Sequence, residues 1–74
     1  MDGMVVVRRY VCDQQRRVIW VATDRTRWRV WWGPDGGPYQ DEWPDDETAT
    51  RALVAELRRR GGGEWRDVTR RPGG

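Results

Sequence analysis

The chain has 74 residues and a net charge of +2; all 14 of its basic side chains are arginine, tryptophan occurs six times, cysteine once, and lysine, histidine, phenylalanine, serine and asparagine are absent. This length holds one domain with a small core, and the lack of histidine and serine beside a lone cysteine argues against an enzyme, a structural metal and an internal disulfide. No apolar run reaches the roughly 18 residues of a membrane span, and the opening Met1-Asp2-Gly3-Met4 is not a signal peptide, so the expectation is a soluble cytoplasmic protein without cofactor.

Val5 to Cys12 is predicted to be a strand, because three consecutive valines favour extended backbone. Asp13-Gln14-Gln15-Arg16 is a polar break, and Arg17 to Thr23 forms a second strand. Val18, Trp20 and Ala22 share one face of that strand, with Ile19 and Val21 on the other. Being apolar on both faces, it belongs in the middle of a sheet. After the short connection Asp24-Arg25-Thr26, the segment Arg27 to Trp32 reads as a third, antiparallel strand. Its alternation puts Trp28, Val30 and Trp32 on a buried face and Arg27, Arg29 and Trp31 on an exposed one.

Gly33 to Pro38 is a turn, rich in glycine and closed by proline. Tyr39 to Trp43 is expected to form a short fourth strand. One helix follows over about Asp46 to Arg60, with Asp45 or Asp46 as its cap, acids in the first turn, Arg58, Arg59 and Arg60 in the last, and Gly61 as its stop. Its apolar stripe reads as Ala49, Ala52, Leu53 and Leu57. A short segment from Glu64 to Thr69 returns, and Arg70 to Gly74 reads as a mobile basic tail. The fold class is therefore α+β: residues 1–69 form a small antiparallel sheet of four strands with one helix on one face and a short terminal segment, and residues 70–74 form the tail.

Charge is uneven along this order. Seven arginines stand against three acids through Arg29, one against seven from Val30 to Leu57, and six against two from Arg58 onward. Two basic segments thus flank an acidic one. If they meet they form a surface fit for phosphate; otherwise they neutralise the acidic segment. The acids Asp41, Glu42, Asp45, Asp46 and Glu47 match no calcium loop and are read as a helix start. Cys12 is read as a small apolar residue. Trp28 and Trp32 are read as core volume. Trp31, which shares a face with Arg27 and Arg29, admits three readings: an indole that stacks a base while arginines hold phosphates, a homodimer surface, or packing within the chain. Arg16, Arg17 and Arg25 lie in or beside hairpin connections.

Trp32-Gly33 at the end of the third strand, Gly36 three residues later, the strand opening Arg8-Arg9-Tyr10, the later Trp43, the helix residues Ala49, Leu53 and Leu57, and Trp65 after a glycine-rich stop together resemble the WGR domain, named for a Trp-Gly-Arg motif. The start is similar to that of small bacterial members. The resemblance implies a small sheet-plus-helix binding module, and in DNA-end-sensing members the motif tryptophan and arginine pack against a nucleic-acid terminus. Here Pro34 stands at the position of the motif arginine. The resemblance and the residue pattern together give Arg25, Arg27, Arg29, Trp31, Trp32, Gly33, Arg70 and Arg71 as candidate contacts to DNA or RNA, with a protein partner or self-association as the alternative. Trp28 to Pro34 and Trp65-Arg66-Asp67 also resemble MbtH-like proteins, similar in length, which assist adenylation domains; their Ser-Leu-Trp-Pro signature is absent.

Overall fold

A computed structural model describes residues 3–69. Its elements, in chain order, are β1 (Val5–Cys12), β2 (Arg17–Thr23), β3 (Trp28–Pro34), β4 (Gln40–Glu42), α1 (Glu47–Gly61) and β5 (Arg66–Asp67). The strands form one antiparallel sheet in the order β4-β3-β2-β1-β5, with β2 at its centre, as its two apolar faces require. The predicted terminal segment thus becomes a fifth strand, with Tyr10 opposite Asp67 and Val11 opposite Arg66. The expected tail, including Arg70 and Arg71, lies outside the described residues.

Strand β3 is displaced from its predicted span at both ends. Arg27 belongs to the preceding turn: its backbone N–H donates to Asp24 Oδ1 at 2.7 Å, and its carbonyl accepts from Thr23 Oγ1 at 2.8 Å. At the other end Gly33 and Pro34 stay in the ladder, opposite Val18 and Arg17, because a proline can hold the terminal position of a strand. Gly33 is required there by space: a Cβ would stand 2.7 Å from the carbonyl oxygen of Pro38. Strand β4 is shorter than expected, three residues rather than five.

Helix α1 is capped by Asp46, whose carboxylate accepts from the Ala49 N–H at 2.8 Å. It ends at Gly62, one residue beyond the expected stop, with φ at 64°. The buried stripe is Thr50, Val54 and Leu57 with Leu53 half-buried, while Ala49 and Ala52 are exposed. The expected stripe is therefore corrected by a rotation of the helix. Thr50 can face inward because its hydroxyl donates to the Asp46 carbonyl within the helix, leaving its methyl to the core. This stripe packs on Ile19, Val21 and Val30, with Val7, Tyr10, Trp28, Trp32 and Trp65 half-buried around them. Trp28 and Trp32 thus supply core volume at its border. The indole of Trp65 lies on Gly61, where a Cβ would stand 2.9 Å from the ring, and its N–H donates to the Arg58 carbonyl at 3.1 Å. No helix among the described residues is long and apolar enough to cross a membrane.

A β-bulge between Val6 and Arg8 resets the alternation of β1. It lets Val7 and Arg8 both line the helix side of the sheet, while Val6 and Arg9 line the other side.

The helix rotation gives a test. Leu57→Ala should cost about 2–5 kcal/mol in a denaturant titration, whereas Ala52→Gln should stay within about 0.5 kcal/mol of the parent. Equal effects of the two substitutions would place the stripe back on Ala52.

Candidate nucleic-acid interface

Strand β3 presents its tryptophans to opposite sides of the sheet. Trp32 faces the helix and packs on the core. Trp31 faces away and meets Trp20, its cross-strand partner on β2: the ring centroids are 5.8 Å apart and the planes are 3° from parallel. The guanidinium of Arg9 lies 4.6 Å from the Trp20 ring centre, and that of Arg29 lies 4.8 Å from the Trp31 ring centre. Arg29 also lies 5.6 Å from the ring of Trp43, over which Arg27 sits at 5.5 Å. Indoles and guanidiniums therefore run across this face from β4 to β1 as one ladder of aromatic and cation–π contacts.

Of the three readings of Trp31, packing within the chain has contacts in the structure, to Trp20 and Arg29, while the ring stays half-exposed. Trp20 and Arg29 take up part of its ring surface. Its two arginine neighbours are also engaged. Arg29 makes a two-point ion pair with Asp41 of β4, both bonds 2.9 Å, and the hydrogen bond to that carboxylate raises the guanidinium above its ordinary pKa. Arg27 pairs with Asp24 at 3.0 Å. The Asp24 carboxyl also accepts from the N–H groups of Arg27 and Thr26 and from the Thr26 hydroxyl, and these bonds hold it well below the usual carboxylate range. Arg25 is exposed at the apex of the same turn, in the left-handed region at φ 83°.

The other candidates gather at the opposite end of the β2–β3 hairpin. Trp32 and Gly33 line a concavity of about 260 Å³ between the sheet and the end of α1, together with Arg17, Arg60 and Trp65. Arg17 stands directly across the ladder from Pro34 and has no ion pair among the described residues. Arg60 reaches Glu56 at 3.3 Å. Among the described residues no acidic side chain lines this groove. Of the eight residues singled out in the sequence, the structure thus unites Trp32 and Gly33, separates Trp31, Arg27, Arg29 and Arg25 from them, and leaves Arg70 and Arg71 outside its description. Arg17 and Arg60 were missed as partners. The signal for Arg17 was hairpin register, which depends on the length of the turn.

Among the described residues no group of three or more His, Cys, Asp or Glu is placed to hold a metal ion. The acid-rich stretch instead supplies Asp41 to Arg29 and Asp46 to the helix cap. Cys12 is buried, its Sγ 4.0 Å from the Gly62 carbonyl. No known protein family, curated protein or solved structure matches this chain.

The ladder and its turn make two stability tests. Arg29→Ala removes two cation–π contacts and a half-exposed ion pair, and should lower stability by about 1 kcal/mol. An unchanged denaturation midpoint would show that the ladder is ornamental. Asp24 has a lowered folded pKa, so its contribution is complete above pH of about 4 and is lost as pH falls from there. The stability gap between the parent and Asp24→Ala should therefore be widest near neutrality and narrow in acid; a gap that widens in acid would reverse this sign.

Proposed function

We propose that this chain is a non-enzymatic, WGR-like binding module that acts in the cytoplasm and contacts nucleic acid at the Trp32–Gly33 end of its sheet. The observation that carries the reading is a groove lined by two half-buried indoles and two arginines, with no acid among its walls. Single strands and strand ends are held by this kind of surface, in which cations track phosphates and aromatic rings meet bases. The position of Arg17 supports the WGR resemblance. Pro34 has no guanidinium to offer, and Arg17 brings one to the same place from the neighbouring strand. The helix end adds Arg60, and Arg16 closes the hairpin connection next to Arg17. Trp31, Arg27 and Arg29 serve the architecture on this reading rather than the ligand.

The test is a titration of short single-stranded DNA and RNA followed by tryptophan fluorescence at several salt concentrations. Affinity should fall as salt rises. Arg17→Ala should flatten the dependence by about 0.7 in slope, the value for one phosphate contact on a single strand. Arg25→Ala, at the other end of a hairpin roughly 20 Å long, should leave both affinity and slope unchanged. Absence of binding at low salt, or binding indifferent to salt, overturns the nucleic-acid reading and leaves the protein-interaction alternative, a homodimer or a small adaptor of a larger enzyme.

A further inference from the structure

Among the described residues, strand β1 is paired along its whole length on one side only. Strand β2 accompanies it from Val5 to Cys12, but β5 meets it only at Tyr10 and Val11. Just beyond, the Val68 N–H donates to the Arg9 carbonyl at 2.8 Å, and the Arg9 N–H donates to Thr69 Oγ1 at 3.0 Å. From Val5 to Arg8 no described residue pairs with that side of the strand. The segment is rich in β-branched residues, Val5 is 57% and Val6 43% exposed, and neither proline nor lysine interrupts it. Such an edge is a template for another strand.

Both faces of this edge open into concavities. On the helix side a groove of about 540 Å³ has Val7, Tyr10 and Trp28 in its walls, with Arg8 and Arg58 beside them. It exists because α1 packs mainly against β3 and leaves the β1 side of the sheet uncovered. On the ladder side a smaller concavity of about 210 Å³ is lined by Val6, Arg9, Trp20, Val68 and Thr69. Successive side chains of a strand point to opposite faces. A strand laid beside Val5–Arg8 would therefore feed alternate side chains into the two concavities while its backbone paired with the edge.

Charge chooses the partner. Arg8, Arg9 and Arg58 have no ion pair among the described residues. Among the described residues the one acid in either wall, Glu47, is taken by Arg51 at 2.9 Å. On the ladder side, Arg9 Nε and Trp20 Nε1 are buried donors without an acceptor, and buried donors are rarely left so. A carboxylate is the complement of the unpaired arginines, Arg8 and Arg58 on the helix side and Arg9 on the ladder side. A second copy paired antiparallel through Val5–Arg8 would set Arg8 against Val5 and bring no carboxylate to the edge. The sequence after Thr69, Arg70-Arg71-Pro72, brings two more cations and a position without an N–H. A nucleic acid has phosphates for the arginines but no peptide backbone for the edge.

We propose that the open edge of β1 at Val5–Arg8 binds an extended acidic segment of a partner protein as a sixth strand, with acidic side chains directed to the arginines on both faces. The proposal is independent of the nucleic-acid groove, which uses other residues at Trp32–Gly33.

A blocked synthetic peptide repeating Glu-Glu-Val-Val places acidic and apolar side chains on both faces of a strand. It should bind saturably, perturb tryptophan fluorescence and protect the amides of Val5–Arg8 from hydrogen exchange. Arg8→Glu, at an exposed position, and Arg9→Ala should each weaken it about tenfold, the worth of one charge-assisted hydrogen bond, with folding checked by circular dichroism. A version of the peptide with alternate backbone amides methylated keeps its charge, cannot complete the ladder, and should not bind. Arg17→Ala should leave peptide binding unchanged. The proposal is overturned if an Arg-Arg-Val-Val peptide binds as well, if methylation has no effect, or if Arg8→Glu binds normally. It is also overturned if light scattering finds a dimer that the peptide cannot dissociate, or if a variant ending at Thr69 gains about tenfold or more in affinity, which would make the tail the native occupant.

Discussion

One helix has to cover five strands. Strands lie about 4.8 Å apart, so a five-stranded sheet is roughly twice as wide as the 10 Å of a helix with its side chains. Helix α1 settles over β3, where Val54 and Leu57 close a core around Ile19, Val21 and Val30. Everything else follows from the sheet surface it leaves bare. Grooves remain on both flanks of the helix, and the far face has no covering element among the described residues. That face must be made compatible with water by its own side chains.

The ladder is the answer, and it gives the composition a physical meaning. The parallel indoles of Trp20 and Trp31 share a face with Val18 and Ala22, which are 3% exposed although no element among the described residues packs on that face. Guanidiniums then cover the indoles. Arginine can do this because its flat cation stacks on rings while its edge still pairs with a carboxylate; lysine offers a point charge and no plane. Arg29 does both at once, stacked on Trp31 and forked onto Asp41. The basic–acidic–basic pattern of the sequence is likewise resolved by stitching. Arg29 of the first basic segment takes Asp41 of the acidic one, and Arg66 of the last takes Asp13 of the first at 2.9 Å. What remains without an acid, Arg8, Arg9, Arg17 and Arg58 among others, is set apart by the fold rather than by the sequence order.

Much of this was legible from period and punctuation. The bounds of β1 and β2, the central place of β2, the capped helix and the alternation of Trp28, Val30 and Trp32 all come from local rules that the tertiary structure respects. Register was not legible. With a three-residue connection Trp20 would stand opposite Val30, and with Arg27 drawn into the turn by Asp24 it stands opposite Trp31. One backbone hydrogen bond to one carboxylate thus decides whether the ladder exists, because a slip of one residue sends every side chain to the other face. The helix stripe was missed for a related reason. Thr50 counts as polar in a pattern, but its hydroxyl is satisfied inside the helix, so packing treats it as apolar. The bulge at Val7 carries no sequence signal that separates it from a run of valines.

Register also bears on how a motif is judged. A Trp-Gly-Arg run read along the chain fails at Pro34, and along the chain no nearby residue restores it. Across the ladder the test is different. Residues directly opposite on antiparallel strands have Cβ atoms only about 5 Å apart, within reach of a long side chain. Arg17 faces Pro34 at that separation class, and the same groove holds Trp32, Gly33 and Arg60. A proline at the last position of β3 costs the strand no ladder hydrogen bond that an interior position would need, so Pro34 leaves the backbone of the ladder intact. The cation on the proposed reading comes from β2 rather than from β3. On the proposed reading, what has to be preserved is the charge beside the indole, and a neighbouring strand meets that requirement as well as the next residue does.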